Sequence, residues 1–183
     1  MKIVGTSIEG LFVAEAEARG DNRGSFTRWF CEQELASVLG DRKIVQINHS
    51  MTQAIAAVRG MHFQYPPHVE MKMVRCIRGR VWDVAVDLRQ GSSSFLHWHA
   101  EVLSAESRRM MVIPEGFAHG FQVLEADSEL LYLHTSYYQP DAEGGLNPLD
   151  EALRIDWPLA VGEMSERDRG HSRIESDFTG VAP

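Results

Sequence analysis

Apolar residues recur along this chain with a period of two, in short runs separated by Gly, Pro, Asn and Asp. That is the pattern of strands with one covered face. The clearest run, "VWDVAVDL", predicts a half-buried strand with Trp82, Val84, Val86 and Leu88 on its apolar face and Asp83, Ala85 and Asp87 on the other. "FLHWHAEV" repeats the alternation with Leu96, Trp98, Ala100 and Val102. "RRMMVIP", "GFQVL" and "LLYLHTSYY" continue the series, and "LFVAEAEA", "FTRWF", "KIVQINHS" and "KMVRCI" are further candidates. Helical periodicity is confined to "CEQELASVL", with one turn expected at "NPLDEAL". Many short strands at near-regular spacing predict an all-β barrel or sandwich. Residues 1–183 show no repeat or linker and are expected to form one antiparallel β-domain, its tail after Trp157 running over the surface in loops and short turns.

Composition narrows the function classes. A formal charge of −8 argues against a nucleic-acid binder, which would carry a basic face. It leaves room for a small basic pocket, because net charge says little about one cleft. Cys31 and Cys76 fit no metal or redox spacing and read as buried thiols of a reducing cytosol. The opening "MKIVGTSIEG" lacks the apolar region of a signal peptide, and no run has the length of a membrane span. A cytoplasmic protein without a membrane partner is expected.

Several polar residues sit where a core strand would not need them. In "VRGMHFQ", alternation puts His62 and Gln64 on one face, with Arg59 on the other unless Gly60 marks a bulge. Lys72 begins the next strand on the side of Val74 and Cys76, and a lysine aligned with an apolar face either snorkels or lines a cavity. In a barrel such a face can be the interior mouth, where ligands sit. "DNRGSF" delivers Arg23 on a turn beside a glycine. In "LLYLHTSYYQP" Tyr132 and His134 share a face, followed by Tyr137 and Tyr138, and "MSERDRG" reads as a loop carrying Arg167 and Asp168.

"IPEGFAHGF", with Pro114, Gly116 and His119, resembles the second motif of the cupin superfamily of jelly-roll barrels. Metal-binding cupins use that histidine together with an earlier His-x-His pair and a glutamate, and "HWHAE" sets His97, His99 and Glu101 on one strand face. The trio falls after the strand where a first cupin motif would lie and faces away from Trp98. It is read as an exposed polar face, with no metal expected.

Taken in order, "DNRGSF", "QINHS", "RGMHFQ", "KMVRC", "VWDVAVDLR", "IPEGFAHGF", "YYQP" and "SERD" resemble the dTDP-4-dehydrorhamnose 3,5-epimerase family over almost the whole chain. The resemblance implies a cupin-type antiparallel jelly-roll barrel with a few short helices, usually a homodimer. It implies an isomerase that works without metal or cofactor on a nucleotide-diphosphate sugar, inverting C3, C5 or both in a 4-keto-6-deoxyhexose. Epimerising a carbon beside a ketone needs a base, an acid across the ring, and a cation or donor at the developing enolate oxygen. By resemblance His62 is the base, Asp168 the carboxylate that orients it, Tyr132 the acid and Lys72 the cation near the C4 oxygen. Arg23, Gln46, Asn48, Arg59 and His119 match positions that hold the nucleotide sugar, with Glu143, Arg167 and Tyr138 as further contacts; Arg23 is expected to reach the partner's pocket. The chain departs from the family pattern at Arg28, where a glutamate is usual, at Ile47 in place of an acid, and at Arg167 in place of lysine. A single-carbon epimerase on another nucleotide, such as a CDP-linked sugar, a metal-dependent cupin isomerase or oxygenase using His97, His99 or His119, and a non-catalytic sugar-binding cupin are the alternatives.

Overall fold

The computed structural model describes residues 1–182. The strands come in chain order as β1 (Lys2–Gly5), β2 (Phe12–Glu15), β3 (Ala18–Asp21), β4 (Gly24–Thr27), β5 (Gln46–Thr52), β6 (Val58–Gln64), β7 (Lys72–Arg78), β8 (Arg80–Asp87), β9 (Trp98–Ser104), β10 (Arg109–Ile113), β11 (Phe117–Val123), β12 (Ser128–His134) and β13 (Glu143–Gly145). Helix α1 (Ala36–Leu39) lies between β4 and β5, and α2 (Glu166–Gly170) lies in the tail. One sheet has the order β1-β2-β10-β7-β12-β5 and the other β13-β6-β11-β8-β9, every pair antiparallel. The two face each other as a cupin-type jelly roll. The β3–β4 pair forms a separate hairpin that leaves Arg23 and Phe26 exposed.

Each sheet buries apolar residues on both of its faces. Between them lie Val13, Val74, Cys76, Val81, Ala85, Leu103, Met111, Phe117 and Phe121. On the outer face of the larger sheet, Leu35, Val38 and Leu39 from α1 and its approach cover Ala14, Met73, Met110 and Val112. On the outer face of the smaller sheet, Leu146, Leu153 and Val181 cover Met61, Phe63, Val84, Val86 and Ala118, with Trp157, Ile174 and Phe178 packed alongside. Fully burying side chains of this size stabilises by about 1.5–3 kcal/mol each. The tail beyond Trp157 therefore acts as the lid of a second apolar layer as well as a surface loop.

That second layer corrects the reading of β8. Trp82, Val84 and Val86 do face an apolar layer, with Trp82 edge-on to Trp98 and Trp157 at 5.5 and 5.4 Å between ring centres. The alternate residues Asp83, Ala85 and Asp87 point toward the barrel interior and are 0% exposed, so the strand is buried on both sides. The same register places His99 opposite Ala85 and Glu101 opposite Asp83. His99 and Glu101 are thus half-buried toward the interior, where Nε2 of His99 lies 3.1 Å from Glu101 and Arg109 pairs with Glu101 at 3.0 Å. They do not form the exposed polar face expected from sequence; only His97 is exposed, on the turn before β9.

The helical expectation shrinks to four residues at α1, with turns before it, and "NPLDEAL" forms turns without a helix. Helix α2 replaces the loop expected at "MSERDRG". Its signal was a capping pattern, Ser165 followed three residues later by Asp168: the Ser165 hydroxyl accepts from the Asp168 amide at 3.0 Å.

Candidate active site

A cavity of about 530 Å³ opens between the two sheets. His62 enters it from β6 and stands opposite His119 of β11 in register. Between His119 and Phe121 the pairing shifts, so that Arg59 faces Phe121, and Gly60 and Met61 together oppose Gly120. This is the bulge that Gly60 hinted at, and it lets both Arg59 and His62 line the cavity. Gly60 sits at φ +126, and a Cβ there would lie 2.5 Å from the Gly120 Cα, so the two backbones touch where only glycine fits.

Behind His62, its Nε2 lies 2.7 Å from Oδ1 of Asp168, which α2 carries and which is 4% exposed. A carboxylate only accepts, so the imidazole Nε2–H donates to it and the Nδ1 lone pair is left free to take a proton. Oδ2 of the same carboxylate accepts from the Gly60 amide at 3.3 Å. Burial works against ionisation of Asp168, but these donors outweigh it and hold its pKa below the ordinary carboxylate value. Chemically, such an arrangement can serve as a general base with a fixed tautomer.

The facing wall comes from β5, β7 and β12. Tyr132 stands in the row of Val74 and Asn48, its hydroxyl 3.0 Å from Ser50 Oγ and its ring centre 6.1 Å from that of His119. Burial pushes the phenol pKa well above its ordinary value, so the hydroxyl keeps its proton and can donate it. Lys72 projects into the cavity from the start of β7, 3.2 Å from Glu70. His119 is itself backed by a carboxylate, its Nε2 2.8 Å from Oδ1 of Asp83, where complete burial raises the Asp83 pKa. Asp83 is a site residue that its place in an apolar strand disguised as solvent-facing.

The rim carries the expected binding residues. Gln46 accepts from the Tyr138 amide at 3.1 Å and donates to Asn48 at 3.3 Å. Tyr138 donates its hydroxyl to Glu143 at 2.6 Å, and Arg167 pairs with the same carboxylate. Burial raises the Glu143 pKa, yet Tyr138 and Arg167 outweigh it and keep the group ionised. Arg59 reaches Thr52 at 3.3 Å, and Ile47, 60% exposed, lies among the lining residues. Arg23 alone among the expected site residues stands apart: it is 85% exposed on the β3–β4 turn, paired with Asp21 and outside its own chain's cavity. Arg28 pairs with Glu34, away from the lining.

The metal alternative meets a different geometry. Among the described residues, the one trio of potential ligands with donor atoms within 4.8 Å of one another is His62, Asp168 and His171. His97, His99 and His119 are not brought together. In the trio, His62 and Asp168 already share a hydrogen bond, and the His171 ring packs so closely on Gly145 that a Cβ there would overlap it.

A proton acceptor on one wall and a protonated phenol on the other suit inversion of a carbon acid, the work of an acid–base isomerase, here on a cupin jelly roll. A family model described as dTDP-4-dehydrorhamnose 3,5-epimerase matches residues 5–176. The chain is 42% identical to the dTDP-4-dehydrorhamnose 3,5-epimerase of Salmonella typhimurium, over 92% of each chain. It is 38% identical to a dTDP-4-dehydrorhamnose 3-epimerase of Streptomyces niveus, over 92% of this chain and 82% of that one. In structure it is similar to the dTDP-6-deoxy-D-glucose-3,5-epimerase of Legionella pneumophila in complex with dTDP-4-keto-L-rhamnose, with a TM-score of 0.91, 36% identity, and coverage of 100% of this chain and 98% of that one. The chain belongs to the dTDP-4-dehydrorhamnose 3,5-epimerase family.

Proposed function

We propose that this enzyme inverts C3, C5 or both in a dTDP-linked 4-keto-6-deoxyhexose. The observation that carries the reading is the Asp168-backed imidazole of His62, with its free Nδ1, facing a wall that holds a protonated Tyr132. His62 removes the proton beside the ketone; the electron pair moves onto the C4 oxygen as an enolate, which Lys72 stabilises. Tyr132 returns a proton to the opposite face, the phenolate it leaves is reprotonated from solvent, and the His62 imidazolium gives its proton up to solvent. Base and acid each contribute about 10²–10⁴-fold, and one oxyanion donor about 3–4 kcal/mol. Arg59, His119, Gln46, Asn48, Glu143, Arg167 and Tyr138 hold the nucleotide sugar, with guanidinium groups suited to a diphosphate. Relatives named for both 3,5- and 3-epimerisation support either outcome at the sugar.

The same reading makes the enzyme a cytoplasmic homodimer of one-domain chains (residues 1–183). The exposed β3–β4 hairpin, with Phe26 68% exposed and Arg23 at its tip, supports an arm that reaches a second copy and adds Arg23 to its cavity. Mass measurement in solution tests the dimer. Incubation with a panel of dTDP- and CDP-linked 4-keto sugars in heavy water tests the reaction. One or two deuterons gained at C3 and C5, seen by mass and NMR, support the reading and count the carbons; no exchange with any member refutes it.

A further inference from the structure

Lys72 does not stand alone in the cavity wall. Two residues before it, in the segment that leads into β7, Glu70 lies with Oε1 3.2 Å from the Lys72 ammonium. The other oxygen, Oε2, lies 2.6 Å from Nδ1 of His134, which β12 places directly opposite Lys72. Nε2 of His134 in turn faces the Asn48 amide nitrogen at 3.3 Å. The side chains of Lys72, Glu70 and His134 are only 13%, 10% and 9% exposed. The bonding roles are determined by the partners: Glu70 can only accept, so His134 donates through Nδ1–H and accepts from Asn48 through Nε2. At each contact along Asn48–His134–Glu70–Lys72 a donor therefore meets an acceptor.

We propose that Glu70, braced by His134, is the positioning residue for Lys72 in the epimerase reaction. The inference rests on the role given to Lys72 under the proposed function. A four-carbon side chain without a partner has many rotamers. Glu70 supplies that partner. A carboxylate beside an oxyanion site also repels the enolate, and here His134 matters: its donated hydrogen bond draws charge to Oε2, so the carboxylate anchors Lys72 without cancelling it. A further charge close enough to act with Lys72 is the buried Asp83 of the His119 pair, on the opposite wall. Glu70 falls outside the residues that the sequence motifs pick out, and His134 stands out there only for sharing a face with Tyr132; the two meet through the pairing of β7 with β12.

The test is a double-mutant cycle on Glu70 and Lys72; Glu70 is chosen because the His134 ring also stacks on Tyr132, 6.2 Å between centres. Glu70→Gln is expected to lower kcat about 100-fold, the scale of a one-ångström misplacement, with KM within a few-fold. In a Lys72→Met background the same change is expected to cost less than about threefold, since the group it positions is gone. A wild-type kcat in Glu70→Gln, or an equal loss in both backgrounds, overturns the proposal. An independent readout is the labelling of Lys72 by an amine-reactive ester, followed by mass spectrometry, which Glu70→Gln accelerates; unchanged labelling overturns the proposal. If wild type exchanges no sugar, the functional reading fails by itself and the labelling decides this one. Should Glu70→Gln not fold, Glu70→Asp keeps the charge but is too short to bridge both partners, and the same comparisons apply with a smaller loss.

Discussion

Replacing Asp168 by asparagine tests the base most sharply, because the surroundings dictate how the amide must sit. The native carboxylate accepts twice, from His62 Nε2 at 2.7 Å and from the Gly60 amide at 3.3 Å. An asparagine has one acceptor and one donor. If its oxygen turned to His62, its NH₂ would face the Gly60 N–H, donor against donor at a buried position. The favoured arrangement gives the oxygen to Gly60 and the NH₂ to His62, whose Nε2 must then accept. That moves the imidazole proton to Nδ1, the nitrogen facing the cavity, and the base is lost while the fold is kept. The corresponding tautomer error in a serine-protease triad costs about 10⁴ in kcat. Asp168→Asn should therefore lower kcat by about 10³–10⁴-fold, or about 4–5.5 kcal/mol of barrier. KM should stay within a few-fold, because Asp168 lies behind His62. The assay is deuterium wash-in beside the ketone under saturating substrate, with thermal unfolding to confirm the native fold. A rate within tenfold of wild type, or a loss confined to KM, would refute the tautomer argument.

Other outcomes follow from the same geometry. Tyr132→Phe should reduce net inversion by about 10²-fold while sparing wash-in through His62, because removal and return are separate steps; equal losses by NMR would contradict that division. Gly60→Ala places a methyl 2.5 Å from the Gly120 backbone at φ +126 and should destabilise by about 2–3 kcal/mol in urea unfolding, with activity lost as His62 shifts. For Asp87, burial opposes ionisation, but Arg89, Ser92 and Ser94 outweigh it and hold the pKa to about 2. Against an unfolded value of about 3.9 this depressed pKa contributes about 2 kcal/mol, present above pH ~4 and lost as the pH falls toward 2. The stability gap between wild type and Asp87→Asn should narrow over that window in acid titrations, and a constant gap would contradict the assignment.

Much of this structure was legible in the chain. Period-two runs marked the main strands and the all-β class, and Gly60 marked the bulge that turns Arg59 and His62 into one cavity. What alternation could not show was which side of β8 faces the barrel. Asp83 and Ala85 looked like a solvent face because an aspartate is usually exposed, and His99 and Glu101 followed the same rule. The tail reverses it: Leu153, Trp157 and Phe178 cover the outer face, so that the polar side of β8 points inward toward a partner, His119. Site residues that depend on register between distant strands were hidden for a related reason. Glu70 and His134 are 64 residues apart and meet across a sheet, which no local spacing records. Helix α2, by contrast, left a readable mark in its Ser165–Asp168 cap.

The most direct measurement compares wild type with His62→Ala in heavy water, using a dTDP-linked 4-keto-6-deoxy sugar, alongside dTDP binding by calorimetry. Deuterium should enter C3 or C5 with the wild type and stop entering with the variant, while dTDP affinity changes by no more than a few-fold. Undiminished exchange in His62→Ala would contradict the account, since no proton could then depend on that imidazole.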